Sequence, residues 1–287
     1  MLAFPNIKIN LGLSVLRKRP DGYHDLETLF VPHFGIRDEL EIVEAPEFGI
    51  EVLMPAGQTG SSSAFAPAGQ ASSFAPVGQA SSFAPVPWAV QQDLTAKAYR
   101  MLAADFKIPP VHIRLVKHAP VGAGLGGGSA DGAFALRMLS EMFSLGLSDK
   151  QLADYASRLG SDCAFFIYNR PMFGEGRGEI LTPYDIDLSG YGIEIVIPDG
   201  ISVSTAEAYH GIVPREASRS SAFLPLREAL AAGPERWRDM LVNDFEATVF
   251  AAHPQLAAIK AHLYESGAIY ASMSGSGSAL FALRRRR

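Results

Sequence analysis

The chain of 287 residues contains a single cysteine, Cys163, so no disulfide can form within it. This composition is typical of proteins that stay in a reducing cytosol. Apolar runs stay short of the ~18 residues that a membrane-spanning helix needs. The amino terminus begins directly in a strand pattern, without a signal or transit peptide. These absences predict a cytoplasmic protein with no membrane partner.

An excess of positive charge is also lacking. The net charge of −5 and the isoelectric point near 5.8 argue against a broad nucleic-acid-binding surface. Hydrophobic residues make up 48% of the chain and charged residues 19%, which is ordinary for a soluble globular protein. The length allows two modest domains with a well-buried core.

A low-complexity segment interrupts the chain. Residues 69–77, with the sequence GQASSFAPV, are repeated as residues 78–86, and a looser copy precedes them. The copies are too few and too polar to stack into a solenoid. We predict a loop insertion at about 57–87 that is mobile and remote from the chemistry. The alternative is a partner-binding loop that presents the phenylalanines Phe65, Phe74 and Phe83.

Strand and helix patterns alternate irregularly, which predicts an α+β fold. Strand patterns fall at 4–15 (interrupted at Asn10), 26–33, 39–43, 48–53, 111–116, 193–197, 269–272 and 278–283. Helical patterns fall at 88–106, 133–139, 151–159, 204–211, 226–230 and 256–263. Ser148 and Gln151 form a predicted capping box at the start of one helix.

The most informative motif is the glycine-rich loop at 120–130, PVGAGLGGGSA, between a predicted strand and a predicted helix. Glycines reach positive φ and allow another group to come close. A helix amino terminus adds unpaired N–H groups and a positive dipole end. The loop is therefore predicted to bind a polyphosphate.

Two common phosphate-binding loops do not fit. A Walker A loop needs a lysine after its glycines, and the nearest lysine, Lys117, precedes them. Gly122, Gly124 and Gly127 match a dinucleotide-binding fingerprint, but that motif needs a second strand ending in an acidic residue. Two successive helical patterns follow the loop here and leave no place for that strand.

Pro120, Gly124, Leu125, Gly126 and Ser129 resemble the P-x-x-x-G-L-G-x-x-S loop of the GHMP kinases (galactokinase, homoserine, mevalonate and phosphomevalonate kinases and relatives). Further segments resemble one member of that family, and together they span nearly the whole chain apart from the repeat. They are Lys8-Ile9-Asn10, Arg19-Pro20-Asp21-Gly22-Tyr23-His24, Gly160-Ser161-Asp162, Gly174-Glu175-Gly176-Arg177-Gly178-Glu179, Asn243-Asp244-Phe245-Glu246 and Ser274-Gly275-Ser276-Gly277-Ser278.

The resemblance implies a two-domain fold. A ribosomal-S5-domain-2-like ATP-binding domain would cover residues 1–168, and a ferredoxin-like domain would cover 169–287. It also implies phosphoryl transfer from ATP, with Mg²⁺, to the 2-hydroxyl of a cytidine-diphosphate-linked alcohol of non-mevalonate isoprenoid synthesis. The alternatives are a homoserine or mevalonate type of GHMP kinase, and a non-catalytic nucleotide-binding relative.

Lys8 and Asp162 match the family's catalytic residues. A hydroxyl is a weak nucleophile near neutral pH, so a carboxylate such as Asp162 helps by taking its proton. A lysine beside that carboxylate would keep it ionised and stabilise charge on the reacting oxygens. The alternatives without a catalytic role are that Asp162 caps a helix beginning near Cys163 and that Lys8 is a solvated strand residue.

The resemblance assigns ATP binding to Pro120, Val121, Gly122, Ala123, Gly124, Leu125, Gly126, Gly127, Gly128, Ser129 and Ala130. Tyr23 and Tyr209 would stack on the pyrimidine, His24 would hydrogen-bond its edge, and Asn10 and Thr205 would be polar substrate contacts. For Tyr23 and His24 the alternative is an ordinary exposed turn. The histidines show no metal spacing, and no metal ligand is assigned.

Two residues depart from what the family leads us to expect, and a third is electrostatically unfavourable. Gly132 stands where alanine is usual and weakens the start of the helix. Asp131 fits the family, yet a carboxylate near a polyphosphate is unfavourable unless it points away or serves the metal. Asp93 stands where asparagine is usual, beside the segment implied in adenine recognition.

Overall fold

The computed structural model describes residues 1–55, 83–86, 89–217 and 224–286. The predicted insertion at about 57–87 lies outside the described residues except for 83–86, as do Phe65 and Phe74. In the described part, no helix is long and apolar enough to cross a bilayer.

The described strands are β1 (Leu2–Ala3), β2 (Asn6–Lys18), β3 (His24–Arg37), β4 (Glu39–Glu44), β5 (Gly49–Pro55), β6 (Phe83–Pro85), β7 (Val111–Val116), β8 (Met172–Glu175), β9 (Ile180–Pro183), β10 (Tyr191–Val196), β11 (Tyr270–Met273) and β12 (Leu280–Arg285). The described α-helices are α1 (Leu94–Asp105), α2 (Gly127–Met142), α3 (Asp149–Leu159), α4 (Cys163–Tyr168), α5 (Thr205–Tyr209), α6 (Leu226–Ala231), α7 (Trp237–Met240), α8 (Phe245–Ala252) and α9 (Pro254–Glu265).

These strands form three sheets, with the orders β1-β4-β7-β5-β6, β2-β3-β8-β9 and β10-β12-β11. Every pairing is antiparallel except that of β5 with β7. The predicted α+β class is confirmed. The domain boundary between residues 168 and 169 stays a prediction, and the second sheet joins strands from both sides of it.

Strand β2 is continuous through Asn10, so the predicted interruption is wrong. Asn10 pairs with Phe30 of β3, and its side-chain amide donates to Thr28 Oγ1 at 3.0 Å. These bonds satisfy a polar side chain inside a strand. The register of β2 against β3 does shift near Asn10, between Leu11 and Leu13, where Gly12 has φ +68°.

The alternation of β2 separates core from cleft. Ile7, Ile9 and Leu11 are fully buried among apolar side chains on one face. Lys8 and Asn10 therefore point to the opposite face, because successive side chains of a strand alternate. This face borders the cleft described below.

Two predicted helix starts are confirmed by their caps. The Ser148 hydroxyl accepts the Gln151 backbone N–H, and the Gln151 side chain bonds back to Ser148. Ser204 and Glu207 form an equivalent capping box at α5. In both cases the side chains satisfy N–H groups that the helix leaves without a partner.

The N-D-x-E segment at 243–246 fixes the loop between β11 and β12. The buried Asn243 amide donates to the carbonyls of Met273 and Gly275, each at 2.8 Å. Glu246 Oε1 accepts the Met273 N–H at 2.8 Å. The motif thus has a structural role that its sequence pattern does not reveal.

Asn243→Ala should lower the free energy of unfolding by about 3 kcal/mol, because it leaves two buried carbonyls without their donor. Urea denaturation followed by circular dichroism measures this change. Gln255→Ala, at an exposed position of α9, is the control and should stay within about 0.5 kcal/mol of the parent protein. Equal effects of the two substitutions would contradict the assigned role.

Candidate active site

A cavity of about 810 Å³ lies where β2, the glycine-rich loop, the start of α4 and the loop between β11 and β12 meet. Lys8 and Asn10 enter it from β2, and Asp162 enters from the segment before α4. Thr205 and Tyr209 line it from α5. These segments, all singled out in the sequence, therefore border one cleft.

Lys8 and Asp162 converge beside the glycine-rich loop. Lys8 Nζ lies 3.4 Å from Asp162 Oδ2, and it donates to Asn10 Oδ1 at 2.5 Å and to the Gly124 carbonyl at 2.8 Å. Lys8 is 2% exposed, which excludes the solvated alternative. Asp162 occupies the N-cap position of α4, but its side chain makes no capping bond.

The charge of Lys8 is held in a buried site. Burial lowers the pKa of the Lys8 ammonium, and the opposite charge of Asp162 offsets part of that effect. Specific partners rather than water therefore surround the Lys8 Nζ atom. Asp162 remains partly accessible from the cleft, with 29% of its side chain exposed.

The glycine-rich loop needs glycine for conformation and for space. Gly122, Gly124 and Gly126 all have positive φ, between +73° and +77°. A Cβ on Gly124 would lie 2.1 Å from the Ser274 carbonyl oxygen, so no side chain fits there. Of the predicted loop residues, Leu125 and Ala130 turn into the core, and the other nine line the cleft.

Helix α2 begins at the end of this loop with no side-chain cap, because its N-cap residue is Gly126. The first N–H groups of a helix have no partner within the helix. Here they lie at the cleft, together with the positive end of the helix dipole. This arrangement favours binding of phosphate groups.

Asp131 does not present an unpaired charge to the cleft. It is buried, and its Oδ2 accepts a bond from Lys117 Nζ at 2.6 Å. The same ammonium donates to Asp38 Oδ2, while Asp38 Oδ1 accepts the backbone N–H groups of His118 and Ala119 at 2.5 and 2.7 Å. The three side chains therefore join the residues that precede the loop to the first turn of α2.

Burial and neighbouring charges shift the pKa values of Lys117 and Asp131. Burial of Lys117 opposes its charge, but Asp131 and Asp38 outweigh burial and raise its pKa. Burial and the neighbouring Asp38 carboxylate raise the pKa of Asp131 well above its usual value, against the effect of Lys117. Asp131 Oδ1 is buried without a hydrogen-bond partner.

The two residues that depart from the family, Asp93 and Gly132, have local explanations. Asp93 is the N-cap of α1, where its carboxylate accepts the Thr95 N–H at 2.9 Å. A Cβ on Gly132 would lie 2.9 Å from the Leu94 side chain. Glycine at position 132 thus permits close packing of α2 against α1, which offsets its low helix propensity.

Of the predicted nucleoside residues, Thr205 and Tyr209 line the cleft, whereas Tyr23 and His24 are not among its lining residues. The rings of His24 and Tyr209 are stacked, with centroids 4.7 Å apart and an angle of 18°. Tyr23 is 56% exposed, and the Arg177 guanidinium lies over its ring, 5.0 Å from the centroid. The structure thus brings His24 against Tyr209 and leaves Tyr23 outside that stack.

Sequence reasoning gave no role to several residues in or beside the cleft. Thr28 Oγ1 accepts a bond from Asn10, Ser274 Oγ donates to the Gly124 carbonyl at 3.1 Å, and Arg177 lines the cleft. Asp38 was not singled out either, because no spacing links it to residue 117 or 131. In the described ranges, no three histidine, cysteine or acidic side chains converge to hold a metal.

Comparisons with known proteins agree with this geometry. The model of the GHMP kinases N terminal domain matches residues 93–170, and the model of GHMP kinases C terminal matches residues 226–286. A 4-diphosphocytidyl-2-C-methyl-D-erythritol kinase from Bacteroides thetaiotaomicron is 45% identical over 283 residues, which cover 99% of this chain and 92% of the relative.

The enzyme of the same name from Bacteroides fragilis is 43% identical, with the same coverage. Among solved structures, a crystal structure of 4-(cytidine 5'-diphospho)-2C-methyl-D-erythritol kinase superposes with a TM-score of 0.72 at 29% identity. The superposition covers 99% of this chain and 90% of the chain in the crystal structure.

The cleft, its glycine-rich loop and these matches define the class of protein, which is that of the GHMP kinases. Within that class, the chain belongs to the family of 4-diphosphocytidyl-2-C-methyl-D-erythritol kinases. The predicted family and the two-domain GHMP fold are confirmed.

Lys117→Met should lower the free energy of unfolding by about 3–5 kcal/mol, because it leaves two buried carboxylates without their cation. Asp131→Asn is the matched control: it keeps the pair of Lys117 with Asp38 and removes the excess negative charge, so it should change stability by about 1 kcal/mol at most. Urea denaturation of both variants tests this. A Lys117→Met protein as stable as the parent would contradict it.

Proposed function

We propose that this protein transfers the γ-phosphoryl group of ATP to the 2-hydroxyl of 4-diphosphocytidyl-2-C-methyl-D-erythritol. The observation that carries the proposal is the 3.4 Å approach of Lys8 Nζ to Asp162 Oδ2 beside the glycine-rich loop. The names of the relatives that match nearly the whole chain support this choice of acceptor.

Asp162 acts as the general base in this proposal. Its carboxylate is partly exposed to the cleft and does not cap α4, so it is available to the acceptor hydroxyl. Loss of the hydroxyl proton in the transition state makes the oxygen a better nucleophile. In a loose phosphoryl-transfer transition state, orientation of the hydroxyl matters as much as proton removal.

Lys8 supplies fixed positive charge. Its bonds to Asn10 and the Gly124 carbonyl hold the ammonium in one place before substrate arrives. A preorganised charge in a buried site stabilises a developing anion better than a mobile one, because little reorganisation is needed.

The loop and the start of α2 bind the phosphates of ATP, and Mg²⁺ would neutralise part of their charge. Asp131 is already bonded to Lys117, and Asp162 lies beside Lys8. The Ser129 hydroxyl, which lines the cleft, would hold a Mg²⁺ ion together with phosphate oxygens and water, and the ion would supply neutralising charge. Tyr23, His24, Thr205 and Tyr209 form the cytidine side of the cleft.

A panel of acceptor alcohols tests the assignment. The purified protein with ATP and Mg²⁺ should phosphorylate 4-diphosphocytidyl-2-C-methyl-D-erythritol, and homoserine and mevalonate should be poor acceptors. Product formation is followed by phosphorus-31 NMR. Turnover of homoserine or mevalonate in preference to the cytidylyl compound would overturn the proposed acceptor.

Asp162→Asn should reduce kcat by about 10²–10⁴-fold, the range expected for loss of a general base. The affinity for ADP, measured by calorimetry, should change little, because the loop residues that bind phosphate are intact. Asp149→Asn, on an exposed carboxylate at the start of α3, is the control and should keep the parent kcat. Near-parental turnover of Asp162→Asn would remove Asp162 as the base.

A further inference from the structure

The cleft contains little available positive charge. Among the described residues that line it, the lysines and arginines are Lys8, Lys117 and Arg177. Lys8 is buried beside Asp162, and Lys117 is buried between two carboxylates. A diphosphate group carries about two negative charges, so a ligand containing one needs a further donor.

Arg177 has the exposure and the unused donors for that role. Its side chain is 42% exposed, and its nearest carboxylate oxygen in the described structure is Glu179 Oε1, 3.6 Å from Nε. That separation is beyond hydrogen-bonding distance. The other oxygen of Glu179 accepts the Arg177 backbone N–H at 2.5 Å. Glu179 therefore fixes the turn and forms an ion pair with the guanidinium, but it takes none of the guanidinium's hydrogen-bond donors.

The turn that carries Arg177 lies on the acceptor side of the cleft. Residues 176–179 connect β8 to β9, and Gly176 and Gly178 adopt positive φ values of +71° and +104°. A Cβ on Gly178 would lie 3.8 Å from Asp162 Oδ1, so the turn passes beside the proposed base. The Arg177 guanidinium lies over Tyr23, one of the proposed cytidine contacts.

We propose that Arg177 binds the diphosphate of the cytidylyl acceptor and so makes the enzyme select cytidine diphosphate compounds over uncharged cytidine compounds. This inference rests on the proposed function. The planar guanidinium can donate two parallel bonds to a phosphate, which an ammonium cannot reproduce. It also lies over Tyr23, which is 56% exposed, so the two side chains can contact one ligand together.

Titration calorimetry with CDP and with cytidine tests the proposal without any turnover. In the parent protein, CDP should bind more tightly than cytidine. Arg177→Met should weaken CDP binding about 10–30-fold, as expected for loss of a charge-assisted bond, and change cytidine binding less than about twofold. Arg177→Lys should give an intermediate CDP affinity, because it keeps the charge but not the paired donors.

Arg227→Met is the matched control. Arg227 is 49% exposed, lies 3.7 Å from a carboxylate oxygen of Glu175 and stacks over Phe173, but it does not line the cleft. This variant should keep the parental ratio of CDP to cytidine affinity. A parental ratio in Arg177→Met, or an equal loss in Arg227→Met, would overturn the role of Arg177.

The same experiment separates the two proposals. If the parent protein binds neither CDP nor cytidine, both the proposed acceptor and the inference about Arg177 are wrong. If the parent binds CDP and Arg177→Met binds it equally well, only the role of Arg177 is wrong. In kinetic assays, Arg177→Met should raise KM for the acceptor about 10-fold and leave KM for ATP unchanged.

Discussion

The site depends on one buried ammonium, that of Lys8. A charge inside a protein is tolerated only when polar partners replace its water. Lys8 obtains these partners from its own strand, from the glycine-rich loop and from the segment before α4. The Gly124 carbonyl that accepts from Lys8 belongs to the loop whose later residues, Gly126 to Ser129, line the cleft. The same set of bonds therefore orders the phosphate site and the proposed base.

A second buried lysine holds the same loop from the other side. Lys117 is bonded to Asp38 and Asp131, so the strand that enters the loop and the helix that leaves it share one ionic cluster. Glycine-rich segments lose much conformational entropy when they become ordered. Fixing both ends by buried charge limits the freedom of the residues between them. Lys8 thus holds the residues around Asp162, and Lys117 joins the residues on the two sides of the loop.

Much of this could be predicted from the sequence, for identifiable reasons. The strand before the loop, the capped starts of α3 and α5 and the turn at Arg19-Pro20-Asp21-Gly22 follow from local chemistry, which short sequence windows contain. Long-range pairing is different. No periodicity relates Asp38 to Lys117 or Asn243 to Met273, because these contacts depend on how separate elements pack. Asn10 was misjudged for the same reason: a polar residue in an apolar strand resembles a break until its partners on β3 are known.

The bond between Ser274 and the Gly124 carbonyl joins residues 150 positions apart in the chain. The Ala279 N–H likewise donates to the Ala123 carbonyl at 3.1 Å. Chains are synthesised from the amino terminus and begin to fold as they emerge from the ribosome. The loop is therefore made well before the segment between β11 and β12. Its Gly124 carbonyl can already accept a bond from Lys8, but its Ala123 carbonyl gains the Ala279 N–H only when that later segment is present. A nascent chain can form the first sheet early and still lack part of the proposed nucleotide site until residues 274–279 have emerged.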